Sequence, residues 1–486
     1  MLPRVARVPQ ADPSTADPGP LEQAFAAIRA EHHLSPEYPK AALREAEQAA
    51  KTITLPQRDE TAVPFFTIDP PGSTDLDQAM YLERTGDGGR AGYRVRYAIA
   101  YVAAFIEPGG ALDQETLRRA ETIYLPDMRL PLHPTVLSED VASLLPQKVR
   151  GAYVWDIGLD ATGEVTSAQI YLAKVRSVAR LEYASVQAKV DGPEARDLQL
   201  LREIGELRIG LQRARGGADL PMPEQEVNRS DDDTYSLQFR PPVPSEEWNA
   251  QISLLAGMCA GAMMIDAKVG ILRTMPAPEQ SAIDTFRRRA IALGIGGRQE
   301  QTYGEFIGSL DRVDPKHLAL IHEATSLFRG AGYTPFDGEV PEVTLQSAVA
   351  APYAHVTAPL RRLVDRFGLA ICEAISRGAT PPEWASQALA GLPDIMRSRD
   401  QVASAVGHAC DDAVEAAVLA PRVGEVFEAI VVAKREKGIQ VQLRDVAVLA
   451  NCKGDAQPGS VVKVRLTATD IPGHAVTFEL ASDTSG

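Results

Sequence analysis

Three aspartates within nine residues give the first chemical lead. In the segment TIDPPGSTDLDQAM, residues 67–80, Asp69 closes an apolar run, a Pro-Pro-Gly-Ser turn intervenes, and Asp75 and Asp77 flank Leu76. In extended backbone, side chains alternate, so the two later acids share a face while Leu76 points inward. Carboxylates that converge repel one another unless a counter-charge is present, and hard oxygen ligands of this kind suit Mg²⁺ or Mn²⁺. A cation so held can activate water and offset charge on a phosphoryl group. The spacing alone also describes a solvated turn whose acids face water, and by itself it favours that reading. A calcium loop is disfavoured, because the further oxygen ligands and closing Glu of an EF-hand are missing.

The elements that must position these acids read as strands first and helices later. Phe65–Ile68 and Ala79–Leu82 bracket the acidic segment as short strands, and Tyr93–Val102 alternates as a longer one, joined by a glycine-rich turn at Gly86–Gly92. Helical patterns follow at Leu200–Arg213, Glu247–Lys268, Glu279–Leu293, Pro315–Phe328 and Leu360–Ser376, with one or two more between Pro382 and Ala420. That order predicts an α+β fold rather than alternating βαβ units. After Pro421 the texture changes to five short β runs separated by glycine turns, which predicts a small closed barrel of the OB type at 421–486. Upstream, 1–20 is rich in Pro and Asp and reads as disordered. Residues 21–61 carry two helical patterns split by Ser-Pro and Tyr-Pro, either a helix-turn-helix-like module or a packing appendage of the mixed region 62–420.

Composition bounds the function classes. Apolar residues at 45% and charged residues at 24% supply sizeable cores, and 486 residues exceed one core, so two or three domains are expected. The longest apolar runs, such as Leu254–Ile265, contain glycines and fall short of a bilayer span, and the first twenty residues lack an apolar signal core. Both point to the cytoplasm and away from membranes. Cys259, Cys372, Cys410 and Cys452 are scattered and unpaired in spacing, which predicts reduced thiols and no zinc site. The net charge of −15 argues against a globally basic nucleic-acid binder, though it leaves room for a local groove around an acidic metal site.

The acidic segment resembles the catalytic motif of the RNase II (RNB) family, which runs T-I-D, five residues, then D-x-D-D-A. Asp69, Asp75 and Asp77 match its first three acids; Gln78 replaces the fourth, so one metal ligand becomes neutral. The resemblance continues at 109–150, where Tyr124 matches the tyrosine that stacks on 3′-terminal bases and Arg150 the closing arginine of the run. A third block, APYAHVTAPLRRLVDRF at 351–367, is similar to Y-x-H-x-T-S-P-I-R-R-Y-x-D. In it Arg361 matches the arginine at the scissile phosphate, and Arg362, His355, Thr357 and Asp365 match as well, the last three equally open to a scaffolding role. Weaker matches are Arg273, preceded by Leu272 rather than an aromatic, Gln251 near a usual glutamate, and Tyr101 in place of an aspartate.

The resemblance implies an enzyme that degrades single-stranded RNA from a free 3′ end to nucleoside 5′-monophosphates, and a monomer is expected. Mg²⁺ (or Mn²⁺) would be held by Asp69, Asp75, Asp77 and Gln78, with Arg361 at the phosphate and Tyr124, Arg150, Arg273, Arg362, His355 and Thr357 against the substrate. The C-terminal barrel is similar to the family's RNA-binding domain. The tandem cold-shock barrels usual at the family N-terminus are absent ahead of Asp69, which implies tolerance of short duplexes. Gln78 and Tyr101 support a rival, an RNA-binding protein of this fold with weak or lost catalysis; a metal-dependent endonuclease is a second rival.

Overall fold

The computed structural model describes residues 6–7, 19–86, 91–192, 196–218, 220, 222, 224–229, 235–240, 242–296 and 301–481. Among the described residues, two closed barrels, the helices packed between and around them, one small three-stranded sheet and three two-stranded ones make up an α+β fold, as expected.

The first barrel is built from Phe65–Ile68, Gln78–Thr85, Gly92–Ala100, Val149–Asp160 and Val165–Leu181, in chain order, each neighbour antiparallel until the last strand closes on the first in parallel. Two of these strands, at 149–160 and 165–181, were not legible as strands, although they are the longest in the barrel. The first of them is buried at six consecutive positions, which removes the two-residue alternation that marks a half-buried strand. Alternation does hold in Gly92–Ala100. Tyr93, Val95, Tyr97 and Ile99 enter a core shared with the helices Pro244–Ala267 and Leu363–Ser376, while Ala98 and Ala100 enter a second core with Leu76, Ala42 and Ala46. Most of the Gly86–Gly92 turn lies outside the described residues; Thr85 and Gly92 pair at its base.

The second barrel comprises Val426–Arg435, Gly438–Leu443, Leu449–Lys453, Val461–Asp470 and Ala475–Leu480. Its fifth strand lies between the third and the fourth, parallel to the third, and closes a five-stranded barrel of the expected OB type. Phe427, Val431, Val441, Leu466 and Phe478 fill it, in one continuous core with the long helix Leu392–Leu419 and the N-terminal helix Pro20–Glu31.

Of the two alternatives for 21–61, that packing agrees with an appendage packed on the rest of the chain. Leu21, Phe25 and Ile28 of the first helix join the core of the second barrel, whereas Ala42 and Ala46 of the helix Lys40–Thr52 join the core beside the first barrel. The two helices therefore serve different bodies. Of the segment expected to be disordered, 1–5 and 8–18 lie outside the described residues, while Ala6–Arg7 pair with Ser236 and Leu237 and a helix begins at Pro20.

A correction concerns the helix Pro244–Ala267. By length and composition it could cross a membrane, contrary to the reading of its apolar run as too short, but half of its most apolar window is buried in the protein. Gly257 and Gly261 let the chain at Tyr353 lie directly against it. A Cβ at 257 would fall 2.2 Å from the Tyr353 ring, and one at 261 would fall 2.8 Å from the Tyr353 amide nitrogen. This close approach fixes the strand-like stretch that leads into Arg361.

Candidate active site

The acids are placed by a turn and a staple. Pro70 to Ser73 form a turn in which the Ser73 amide donates to Pro70 O, with Gly72 at φ +78°, the left-handed position that this turn demands and glycine adopts without strain. Beyond it the chain is pinned to the 137–145 segment. Ser143 Oγ donates to Thr74 O at 2.6 Å and accepts from the Leu76 amide at 2.9 Å, and the Leu144 amide donates to Leu76 O. Leu76 is fully buried, so the residues on either side are turned the other way, as alternation predicted.

The result is a cavity of about 570 Å³ lined by Asp69, Asp75, Asp77, Gln78, Tyr124, Arg129 and Arg361, together with Tyr183, Asn249 and Ser253. Asp77 is only 5% exposed. Its Oδ1 accepts from the Leu360 amide at 2.7 Å and its Oδ2 lies 3.7 Å from Arg361 Nε. Burial nevertheless holds this carboxyl well above the usual carboxylate range, against the pull of Arg361 and the amide. Asp69 is pushed up to about 6, by burial first and by the charge of Asp75 further down. Its Oδ2 is buried without a hydrogen-bond partner. Asp75 is ion-paired with Arg129 at 2.7 Å and accepts from the Tyr124 hydroxyl at 3.2 Å.

These observations test whether a divalent cation suits the residues present. Two carboxyls whose charged forms are penalised by burial, one with an orphaned oxygen, are the groups a hard cation would stabilise. The donor chemistry fits. Among the described residues, however, no three His, Cys, Asp or Glu side chains are gathered as a ready-made cage, and Asp75 is engaged by Arg129. Gln78 lines the cavity, but its Oε1 already accepts from the Tyr97 hydroxyl.

Of the residues singled out in the sequence, Asp69, Asp75, Asp77, Gln78, Tyr124 and Arg361 are brought together, and Tyr124 is 53% exposed at the rim. The others stand outside this cavity. Arg150 donates to Ser143 O and pairs with Asp140, bracing the segment that staples the acids. Arg362 is held by both oxygens of the fully buried Asp365, whose Oδ2 also accepts from the Ala358 amide and so shapes the turn that presents Arg361. Thr357 is hydrogen-bonded to Ser253. His355 Nδ1 lies 2.7 Å from the Tyr333 hydroxyl, and burial, ahead of the surrounding arginines, keeps the ring well below the usual histidine range. Arg273 stacks over the same Tyr333 ring. Tyr101 packs edge-on against Tyr153, in a different cleft, and Gln251 bonds Gln212 on a neighbouring helix.

Sequence reasoning missed Arg129, Tyr183, Asn249 and Ser253. For Arg129 a signal existed: Leu125-Pro126-Asp127-Met128 is a turn, and the turn sets Arg129 across the ladder from Tyr124. Nothing in the one-dimensional pattern brings the other three to the acids.

With this geometry in hand, the comparisons are specific. The model of the RNB domain matches residues 57–373, and that of the RNase II-type exonuclease C-terminal S1 domain matches 425–481. Ribonuclease R of Escherichia coli is 28% identical over 341 residues, 66% of this chain and 40% of the relative. The exosome complex exonuclease RRP44 of Mus musculus is 28% identical over 317 residues, 62% of this chain and 32% of the relative. The chain thus spans well under half the length of these curated relatives. Among solved structures, Mycoplasma genitalium RNase R in complex with ribose-methylated single-stranded RNA superposes with a TM-score of 0.83 at 18% identity, covering 95% of this chain and 78% of that one. Yeast Ssd1, a pseudonuclease, superposes at 0.68 with 15% identity, covering 93% and 57%. At such identities the superpositions establish the fold.

Proposed function

Because the chain belongs to the RNB-domain family, we propose that it is a hydrolytic 3′-to-5′ exoribonuclease acting on single-stranded RNA with a free 3′ end and releasing nucleoside 5′-monophosphates. One observation carries the reading: the three matched acids and Arg361, whose turn is joined to Asp77 by a hydrogen bond spanning 283 residues of sequence, line one cavity.

Each residue has a part that its chemistry supports. Tyr124, exposed at the rim and tied to Asp75, offers a ring on which a terminal base can stack. Arg361 offers a permanently charged fork to phosphate oxygens, and its side chain, 47% exposed, is free to turn toward them from its place beside Asp77. Asp69 and Asp77 are the carboxylates that would hold Mg²⁺ or Mn²⁺. Such a cation supplies a bound water of lowered pKa and offsets charge on the phosphoryl group. The second barrel, of an RNA-binding type, supports a path for the strand between the two barrels, held by phosphate contacts and stacking.

The test is a 5′-labelled oligo(A) incubated with and without Mg²⁺. Stepwise shortening to a short residual oligomer, abolished by a chelator, is expected. Internal fragments ahead of mononucleotides would replace the reading with an endonuclease. Binding without shortening would replace it with a non-catalytic RNA-binding protein, the alternative favoured by Gln78 and by the engagement of Asp75 with Arg129.

A further inference from the structure

The acidic cavity contains a fixed positive charge besides Arg361. Arg129 is fastened on three sides: Nη1 lies 2.7 Å from Asp75 Oδ1, and Nη2 lies 2.8 Å from Glu139 Oε1 and 3.1 Å from Thr74 Oγ1. Thr74 Oγ1 in turn donates to Glu139 Oε2, so the guanidinium sits in a small closed network and not at the end of a free arm. The cavity is also lined by Gln78, neutral where a fourth acid would complete the motif, with its carbonyl oxygen occupied by Tyr97. The cavity therefore has one acid fewer than the four-acid motif, and Arg129 offsets the charge of another. Asp69, by contrast, has an oxygen with no partner, and Asp77 is deeply buried beside an arginine 3.7 Å away.

We infer that Arg129 is a built-in counter-ion that retains Asp75 and confines a divalent cation to Asp69 and Asp77, so that the cavity takes one such ion and not two. The inference rests on the proposed reading of this cavity as a cation site. Arg129 is a positioning residue in this scheme, because it acts through Asp75. Guanidinium suits this role because it cannot be neutralised at any working pH and its planar fork meets a carboxylate with little loss of freedom. A lysine would supply the charge with less rigidity.

The test measures Mn²⁺ binding to the full chain without RNA, by the electron paramagnetic resonance signal of free Mn²⁺ during titration. The proteins are the wild type, Arg129→Gln, Arg129→Lys and the double variant Asp75→Asn/Arg129→Gln. The wild type is expected to bind one Mn²⁺. Arg129→Gln should bind it about tenfold more tightly or take a second ion, since removing one unit charge a few ångströms from a divalent ion has that effect even under strong screening. Arg129→Lys should stay near the wild type, and the double variant, which deletes a neutral pair, should return to within about threefold of it. Unchanged or weaker binding by Arg129→Gln, two ions on the wild type, or none, would overturn the inference. If Arg129→Gln does not fold, the double variant decides: wild-type affinity upholds the inference, and a tenfold loss shows Asp75 to be a ligand in spite of Arg129. The outcome is separable from the nuclease reading. Mn²⁺ binding as expected by a chain that never shortens RNA sinks only the latter, and RNA cleavage with Mn²⁺ affinity indifferent to Arg129 sinks only the former.

Discussion

At the scale of single residues, Asp77 and Arg361 divide the work differently from Arg362 and Asp365, although all four lie in matched motifs. Asp77 is buried in the cavity between the Leu360 amide and the Arg361 guanidinium. Asp77→Asn keeps the shape and the amide contact while removing the charge. Turnover should fall by about a thousandfold or more with RNA affinity retained, and single-turnover cleavage beside filter binding would show it. Near-normal turnover would contradict its role. Arg361→Ala should lower turnover by about a hundredfold and affinity much less, because a phosphate clamp that strengthens as charge develops acts on the transition state. Equal loss of binding with turnover preserved would make Arg361 an anchor. Arg362 is spent on Asp365, and that pair shapes the turn from within the protein.

At the scale of elements, the long helix Leu392–Leu419 shares one core with the second barrel. Near its end Glu415 is 4% exposed, accepting from Gln225 Nε2 at 2.7 Å. Burial pushes its carboxyl up to about 8, from an ordinary 4.5. A folded pKa raised above the unfolded one means that the folded state binds the proton more tightly. The stability this contributes is complete below about pH 4.5 and is lost as pH rises through about 8. Wild-type protein should therefore lose at least about 1 kcal/mol relative to Glu415→Gln between pH 5 and pH 8, since the amide keeps the hydrogen bond and has no proton to lose. Parallel stability curves for the two proteins over that range, from denaturant melts, would rule this out. The helix Pro244–Ala267 shows the same dependence of position on neighbours. Its two glycines matter only because Tyr353 lies against them.

At the scale of the whole molecule, the second barrel is not a detachable appendage. Its core residues Phe427, Val431 and Phe478 are continuous with Val406, Cys410, Val414 and Val418 of the long helix and with Phe25 and Ile28 near the start of the described chain. Truncation after Ala420 would expose that whole apolar face to water, at about 25 cal/mol for every Å² uncovered. The truncated chain should melt well below the full chain and associate in solution, as scanning calorimetry and light scattering would register. A monomeric fragment with an unchanged transition would show the barrel to be energetically independent.

The sequence by itself determined the local chemistry and the two ends of the architecture. The Pro-Pro-Gly-Ser turn, the alternation around Leu76 and the apolar strand before Asp69 each depend on neighbours a few residues away, so their outcome is written in one stretch of chain. The five-stranded barrel after Pro421 was legible for the same reason, its strands being short and separated by glycine turns. Only the tertiary structure decided which of the matched residues share a cavity. His355, Arg273 and Arg150 carry the same charge or polarity as residues at the site, yet each is claimed by a partner from a distant segment: Tyr333 for the first two, Ser143 and Asp140 for the third. It also supplied Arg129, whose charge counts at Asp75 because a hairpin folds it there. Electrostatic interaction depends on distance through space, and spacing along the chain constrains that distance only within a single element.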